Sequence, residues 1–80
     1  MSLADLCNRY AQKIAGDDWR SEHVKWMLEQ IPLMKEPGKI NRWLGFVQGF
    51  MWDRDLCTID ELRQDISVLK ANAPPGDNHY

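Results

Sequence analysis

The stretch 39–52 constrains this chain more than any other. Placed at 100° per residue, Phe46, Phe50, Trp43, Val47, Ile40, Met51 and Leu44 fill an arc of about 160°. That period marks an α-helix, and so wide an apolar arc marks one with neighbours on more than one side. The opposite side carries Asn41, Arg42, Gly45, Gln48, Gly49 and Trp52. Each mid-helix glycine costs about 1 kcal/mol relative to alanine. The pattern therefore predicts that another backbone approaches closely along the Gly45/Gly49 groove, and that this helix is central and packed on both sides. The GxxxG spacing signals a membrane dimer only within an apolar run of about 20 residues, which is missing here. Two readings of the groove stand: tight packing of two helices inside one domain, or the seam of a homodimer.

The rest of the chain also reads as helix. Over 3–15, Leu3, Leu6, Cys7, Tyr10, Ala11 and Ile14 recur at three- and four-residue steps, with Ser2 as N-cap and Asp5 in the first turn. Gly16 suits the left-handed position that ends such a helix. Over 18–31, Val24, Met27, Leu28 and Ile31 form a core stripe, with Asp17, Asp18 or Ser21 as cap and Pro32 at the end. Glu36-Pro37-Gly38 reads as a turn, and residues 53–57 as a short polar link. Thr58 and Glu61 form a capping box for a fourth helix reaching residue 71, with Leu62, Ile66 and Leu69 inward. No β-branched run alternates with polar residues, so no strand is predicted. The predicted fold is all-α: a compact bundle of three to four helices, the third central, over 1–72, followed by a flexible tail over 73–80. At 80 residues the chain is one domain, too short for a doubly wound sheet or a TIM barrel.

Ten Lys and Arg face twelve Asp and Glu, for a net charge of −2, and no run of five like charges occurs. A nucleic-acid binder clusters basic residues on one face, so nucleic acid is disfavoured as a partner. The alternative, a small DNA-associated regulator, would need the third or fourth helix as its recognition helix. The third offers only Lys39 and Arg42, and the fourth carries Asp60, Glu61 and Asp65. No apolar run is long enough to span a membrane. Residues 1–5 show no basic region leading into an apolar one, which predicts no signal peptide and a cytoplasmic chain. Cys7 and Cys57 are accordingly expected to be free thiols.

Motifs that carry chemistry are missing. His23 and His79 sit in no HExxH, and Ser2, Ser21 and Ser67 sit in no GxSxG. The sequence predicts no enzyme, no cofactor and no metal. The tryptophans are the more telling feature, four in a chain this short. Trp43 fits the core arc, Trp19 and Trp26 share one side of the second helix with His23 and Gln30, and Trp52 lies on the glycine side of the third. A domain of this size buries only about 60% of its unfolded surface. Surplus indoles therefore predict a partner-binding face, with Arg42 and Arg54 at its rim. The other reading is that large side chains wrap a thin core.

The elements His23-Val24-Lys25-Trp26-Met27 and Arg42-Trp43-Leu44-Gly45-Phe46-Val47-Gln48-Gly49, closed by Thr58-Ile59-Asp60-Glu61-Leu62, resemble small helical proteins encoded by bacteriophages and prophages. That family shows an H-x-x-W-M element followed by R-W-L-G-F-x-Q-G and has no assigned activity. The likeness covers residues 23–62. It implies a phage accessory protein in the host cytoplasm, acting by binding a host or defence protein. It also implies that some of His23, Trp26, Arg42, Trp43 and Gln48 form one polar-aromatic cluster between the second and third helices, with Arg42 or Gln48 hydrogen-bonding across the groove beside Gly45. The predicted interaction surface is Trp19, His23, Trp26, Arg42, Gly45, Gln48, Gly49 and Trp52. Its predicted partner is a host or phage protein, or a second copy of the chain.

Overall fold

Helix formation begins at Ser2. Its hydroxyl accepts from the Asp5 N–H at 3.1 Å, and the Asp5 carboxylate accepts from the Ser2 N–H at 3.3 Å. This capping box satisfies two donors that the first turn leaves free. The computed structural model describes residues 2–71, with side chains described as far as residue 67. Within that range the fold is all-α: α1 (Leu3–Lys13), α2 (Trp19–Gln30), α3 (Pro37–Asp53) and α4 (Ile59–Ala71), with one 3-10 turn at Ile31–Leu33. The expected tail over 73–80, with His79, lies outside the described residues.

α1 ends two residues before its predicted limit, because Ile14 turns to extended geometry and buries its side chain. Gly16 does not take the left-handed conformation expected of it. It is needed for space: a Cβ there would sit 2.8 Å from both Asp18 Oδ1 and Ser21 Oγ. Those two atoms are held together at 2.7 Å, and Asp18 also accepts from the Ser21 N–H to cap α2. Val24, Met27, Leu28 and Ile31 are all buried, as their spacing predicts. Pro32 does not stop the chain at once. The α-helix ends at Gln30 and tightens into the 3-10 turn, closed by the Met34 N–H on the Ile31 carbonyl at 3.1 Å.

Glu36-Pro37-Gly38 proves to be the start of α3 rather than a turn before it. Pro37 occupies the first helical position, where a missing N–H breaks no bond and the ring pre-sets φ. The far end of α3 closes in a Schellman motif that the sequence reading took for a plain polar link. The Asp55 N–H reaches the Trp52 carbonyl at 3.0 Å and the Leu56 N–H reaches the Met51 carbonyl at 2.8 Å, with Asp55 left-handed at φ 58°. Leu56 then packs against the core. Thr58 and Glu61 form the predicted capping box of α4.

The core draws Leu6, Cys7 and Tyr10 from α1 and Ile14 just beyond it, the α2 stripe, Leu44, Val47 and Met51 from α3, then Cys57 and Leu62. Both cysteines are buried and free. Ile66, expected inward, is exposed, and Asp65 takes the inward position one residue earlier. The described side chains stop short of Leu69. α3 reaches α2 through Trp43 on Trp26 and α1 through Gln48 on Tyr10. Its glycine side is not packed, contrary to expectation. A Cβ at Gly45 or Gly49 would meet no heavy atom within 4 Å. Phe46, at the edge of the predicted core arc, is exposed for the same reason. The neighbours of α3 cover only one side of it.

Candidate functional site

α2 and α3 run antiparallel, and their outer faces do not close over one another. Trp19, Arg20, His23 and Val24 from α2, with Gly45, Phe46, Gly49, Phe50 and Asp53 from α3, line an open groove of about 550 Å³. The glycines form its floor because they have no side chain to fill it. Trp19 and Phe46 stand at its sides, 74% and 59% exposed. The Arg20 guanidinium lies 5.6 Å from the Trp19 ring centroid, and that of Arg54 4.9 Å from Phe50. Both distances suit cation–π attraction.

Beside the groove an aromatic ladder joins the two helices. His23 stacks on Trp26 at 5.7 Å and 27°, and Trp26 tilts against Trp43 at 5.8 Å and 44°. Lys39 caps the far end, its ammonium 5.5 Å from the Trp43 ring. Trp26 remains about half exposed, while Trp43 is partly buried against the core. Glu22, beside His23 in sequence, pairs with Lys25 at 3.0 Å.

The structure thus brings Trp19, His23, Gly45 and Gly49 into one groove and sets Trp26 next to it. Arg42 is exposed on the same outward stripe of α3, one turn before Gly45. Trp52 is exposed on the last turn of α3 but does not line the groove. Gln48 is not part of this surface. It is buried on the other side of α3, where its Nε2 donates to the Tyr10 hydroxyl at 3.3 Å. Of the residues implied to cluster, His23, Trp26 and Trp43 do so between α2 and α3, whereas Gln48 lies on the other face of α3, and among the described residues no hydrogen bond crosses the groove beside Gly45. Phe46, Phe50, Arg20 and Asp53 are groove residues that the sequence reading did not assign. The signal was the breadth of the apolar arc, which exceeds what a few neighbours can bury.

A buried polar network, also unassigned from sequence, closes the opposite side. Asp65 is buried, accepting from the Tyr10 hydroxyl at 2.8 Å and from the Arg9 guanidinium. Burial pushes the Tyr10 phenol well above its usual range, with the Asp65 charge adding to the rise and Gln48 opposing it. The hydrogen bond to Asp65 likewise raises Arg9. Nearby, Lys13 donates to Glu61 at 3.2 Å and to Cys57 Sγ at 3.6 Å. The Thr58 backbone bond, then Lys13, hold Glu61 below its usual carboxylate range, while burial raises Cys57 despite Lys13. Every member of this network has a partner, as a rigid structural network requires.

Among the described residues, no three His, Cys, Asp or Glu side chains gather in a group that would hold a metal, and no helix is long and apolar enough to cross a membrane. No family model, curated protein or solved structure matches the chain.

Proposed function

We propose that this chain is a non-enzymatic interaction protein that binds another polypeptide through its α2/α3 face, as an accessory protein of a bacteriophage. The observation that supports this reading is the open groove with its glycine floor and exposed aromatic sides. Trp and Arg are the side chains over-represented where binding energy concentrates. Here Trp19, Arg20 and Trp26 are exposed on α2 and Arg42 and Phe46 on α3, with Arg54 exposed at the C-cap of α3. Exposed apolar patches rimmed by polar groups mark interaction surfaces. The two glycines weaken α3 by about 1 kcal/mol each, and no contact among the described residues uses the space they leave. That space suits a bulky apolar side chain from outside. The phage assignment rests on the H-x-x-W-M and R-W-L-G-F-x-Q-G elements, which supply Trp26, Trp43 and the groove floor.

A photo-crosslinking amino acid at position 46 tests the reading in cells that express the chain. A protein adduct is expected from position 46 and none from Gln12, which is exposed on α1. If position 46 yields no protein adduct, the groove is not a docking surface.

A further inference from the structure

The groove face has the properties of a surface that fits itself. Along α3 the outward stripe reads Arg42, Gly45, Phe46, Gly49, Asp53, all of them exposed. Arg42 and Asp53 mark its two ends and carry opposite charges. Neither takes part in an ion pair among the described residues, whereas Asp18, Glu22, Glu61 and Asp65 each have a cationic partner. Between them Phe46 projects and Gly49 leaves a hollow.

We propose that the α2/α3 face pairs with a second copy of itself, the two α3 helices crossing antiparallel about a two-fold axis level with Val47 and Gln48. This rests on the reading of that face as a protein-binding surface and names its occupant. Residues equidistant from that level face each other across such an axis. Phe46 then meets Gly49 of the second copy, and Arg42 meets Asp53 of the second copy. Each contact occurs twice, as an isologous interface requires.

The geometry is within reach. Arg42 and Asp53 lie about 16 Å apart along the helix at 1.5 Å per residue, so each is about 8 Å from the crossing point. At a crossing angle of about 20° the two helix axes are offset sideways there by only about 3 Å. An arginine side chain spans that offset. The glycines let the two backbones come close at the centre, an approach that no other described part of the chain makes. Phe46 of the second copy enters the groove over Gly49, beside Phe50, with Trp19 and His23 as its outer wall. Charge also fixes the direction of crossing. A parallel pair would set Arg42 against Arg42 and Asp53 against Asp53, and like charges directly opposed are unfavourable.

Light scattering and sedimentation on the purified full chain, from low micromolar to near-millimolar concentration, test the pairing. The expected mass is twice the 9.4 kDa of one chain. Gly49→Leu fills the hollow, where a Cβ meets nothing within 4 Å, and leucine is the better helix former. This variant should keep its helical circular dichroism and become a monomer. Arg42→Asp and Asp53→Arg should each raise the dimer Kd by about tenfold or more, and the two together should restore it to within a few-fold. A dimer indifferent to Gly49→Leu, or a double reversal that fails to restore pairing, overturns the proposed interface. A chain that is monomeric throughout, while position 46 still cross-links to another protein, overturns the pairing but leaves the docking reading intact. A monomer with no adduct at position 46 overturns both.

Discussion

The Tyr10 hydroxyl donates to Asp65 Oδ2 at 2.8 Å, tying α1 to α4 across 55 residues of sequence. Around this bond the chain holds a buried carboxylate whose other oxygen takes the Arg9 guanidinium, while Gln48 of α3 donates to the same phenol. Three helices thus meet at one polar point inside an otherwise apolar core. Tyr10→Phe removes both the donor to Asp65 and the acceptor for Gln48. The expected loss is about 1 to 3 kcal/mol, because buried polar groups are left without partners. Urea unfolding measures it. Arg9→Ala should cost less, since Arg9 is half exposed and water replaces its side of the contact. A Tyr10→Phe variant as stable as the parent would show that the network contributes nothing.

Cys7 makes alkaline pH destabilising. Burial pushes its thiol from 9.0 up to about 11. The folded chain therefore holds this proton more tightly than the unfolded chain does. The associated stability is complete below pH 9 and is lost as pH rises toward 11. Two units of difference correspond to roughly 2 to 3 kcal/mol. Stability measured by urea between pH 8 and pH 11 should fall along this course in the parent and more gently in Cys7→Ala. An equal fall in both would assign the alkaline loss to other groups, Tyr10 foremost.

Gly16 fails as alanine. The added Cβ meets Asp18 Oδ1 and Ser21 Oγ, and neither can retreat without giving up the α2 cap. Asp18 is also held by Arg54 at 3.1 Å, which links the start of α2 to the end of α3. Gly16→Ala should cost about 1 to 3 kcal/mol, the usual range for crowding a packed site. Thermal unfolding decides it, and a melting temperature equal to or above the parent's would refute the crowding.

Asp55 sits left-handed at the end of α3. Asp55→Gly should be neutral or stabilising by up to about 1 kcal/mol, since glycine enters that region without a steric cost. Asp55→Val should destabilise by about 1 to 2 kcal/mol, because a side chain branched at Cβ crowds the following carbonyl there. The opposite order in thermal melts would mean that the Schellman turn does not hold in solution.

Gly45 gives the reverse of Gly16. A Cβ there meets nothing within 4 Å, so Gly45→Ala should stabilise the isolated chain by about 0.5 to 1 kcal/mol through helix propensity. The measurement belongs at protein concentrations low enough to keep the chain monomeric. A loss of stability at such concentrations would mean that the groove is packed within the chain after all.

Much of the architecture was legible because it is local. The capping boxes of Ser2 with Asp5 and Thr58 with Glu61 span three residues each, and the Val24, Met27, Leu28 and Ile31 stripe is a property of one helix. Such features depend on the 3.6-residue period and on backbone donors within a single turn, which sequence displays directly. Pro37 was misread because proline marks both turns and first helical positions, and only the path of the following chain distinguishes them. Gly16 was misread because its role is set by side chains two and five residues ahead, folded back on it.

The sequence by itself determined that helices form and roughly where each begins and ends. The tertiary structure decided what each face of α3 meets. Periodicity reports that Phe46 and Val47 are both apolar, but not how many neighbours arrive to cover them. It cannot say that Asp65 rather than Ile66 turns inward, because that depends on Tyr10 and Arg9 arriving from a helix 55 residues away. Whether Gly45 and Gly49 lie against a neighbouring backbone or floor an open groove is likewise a matter of which surfaces a small bundle can cover. Among the described residues the neighbouring helices leave that side of α3 uncovered, and the open groove is the result.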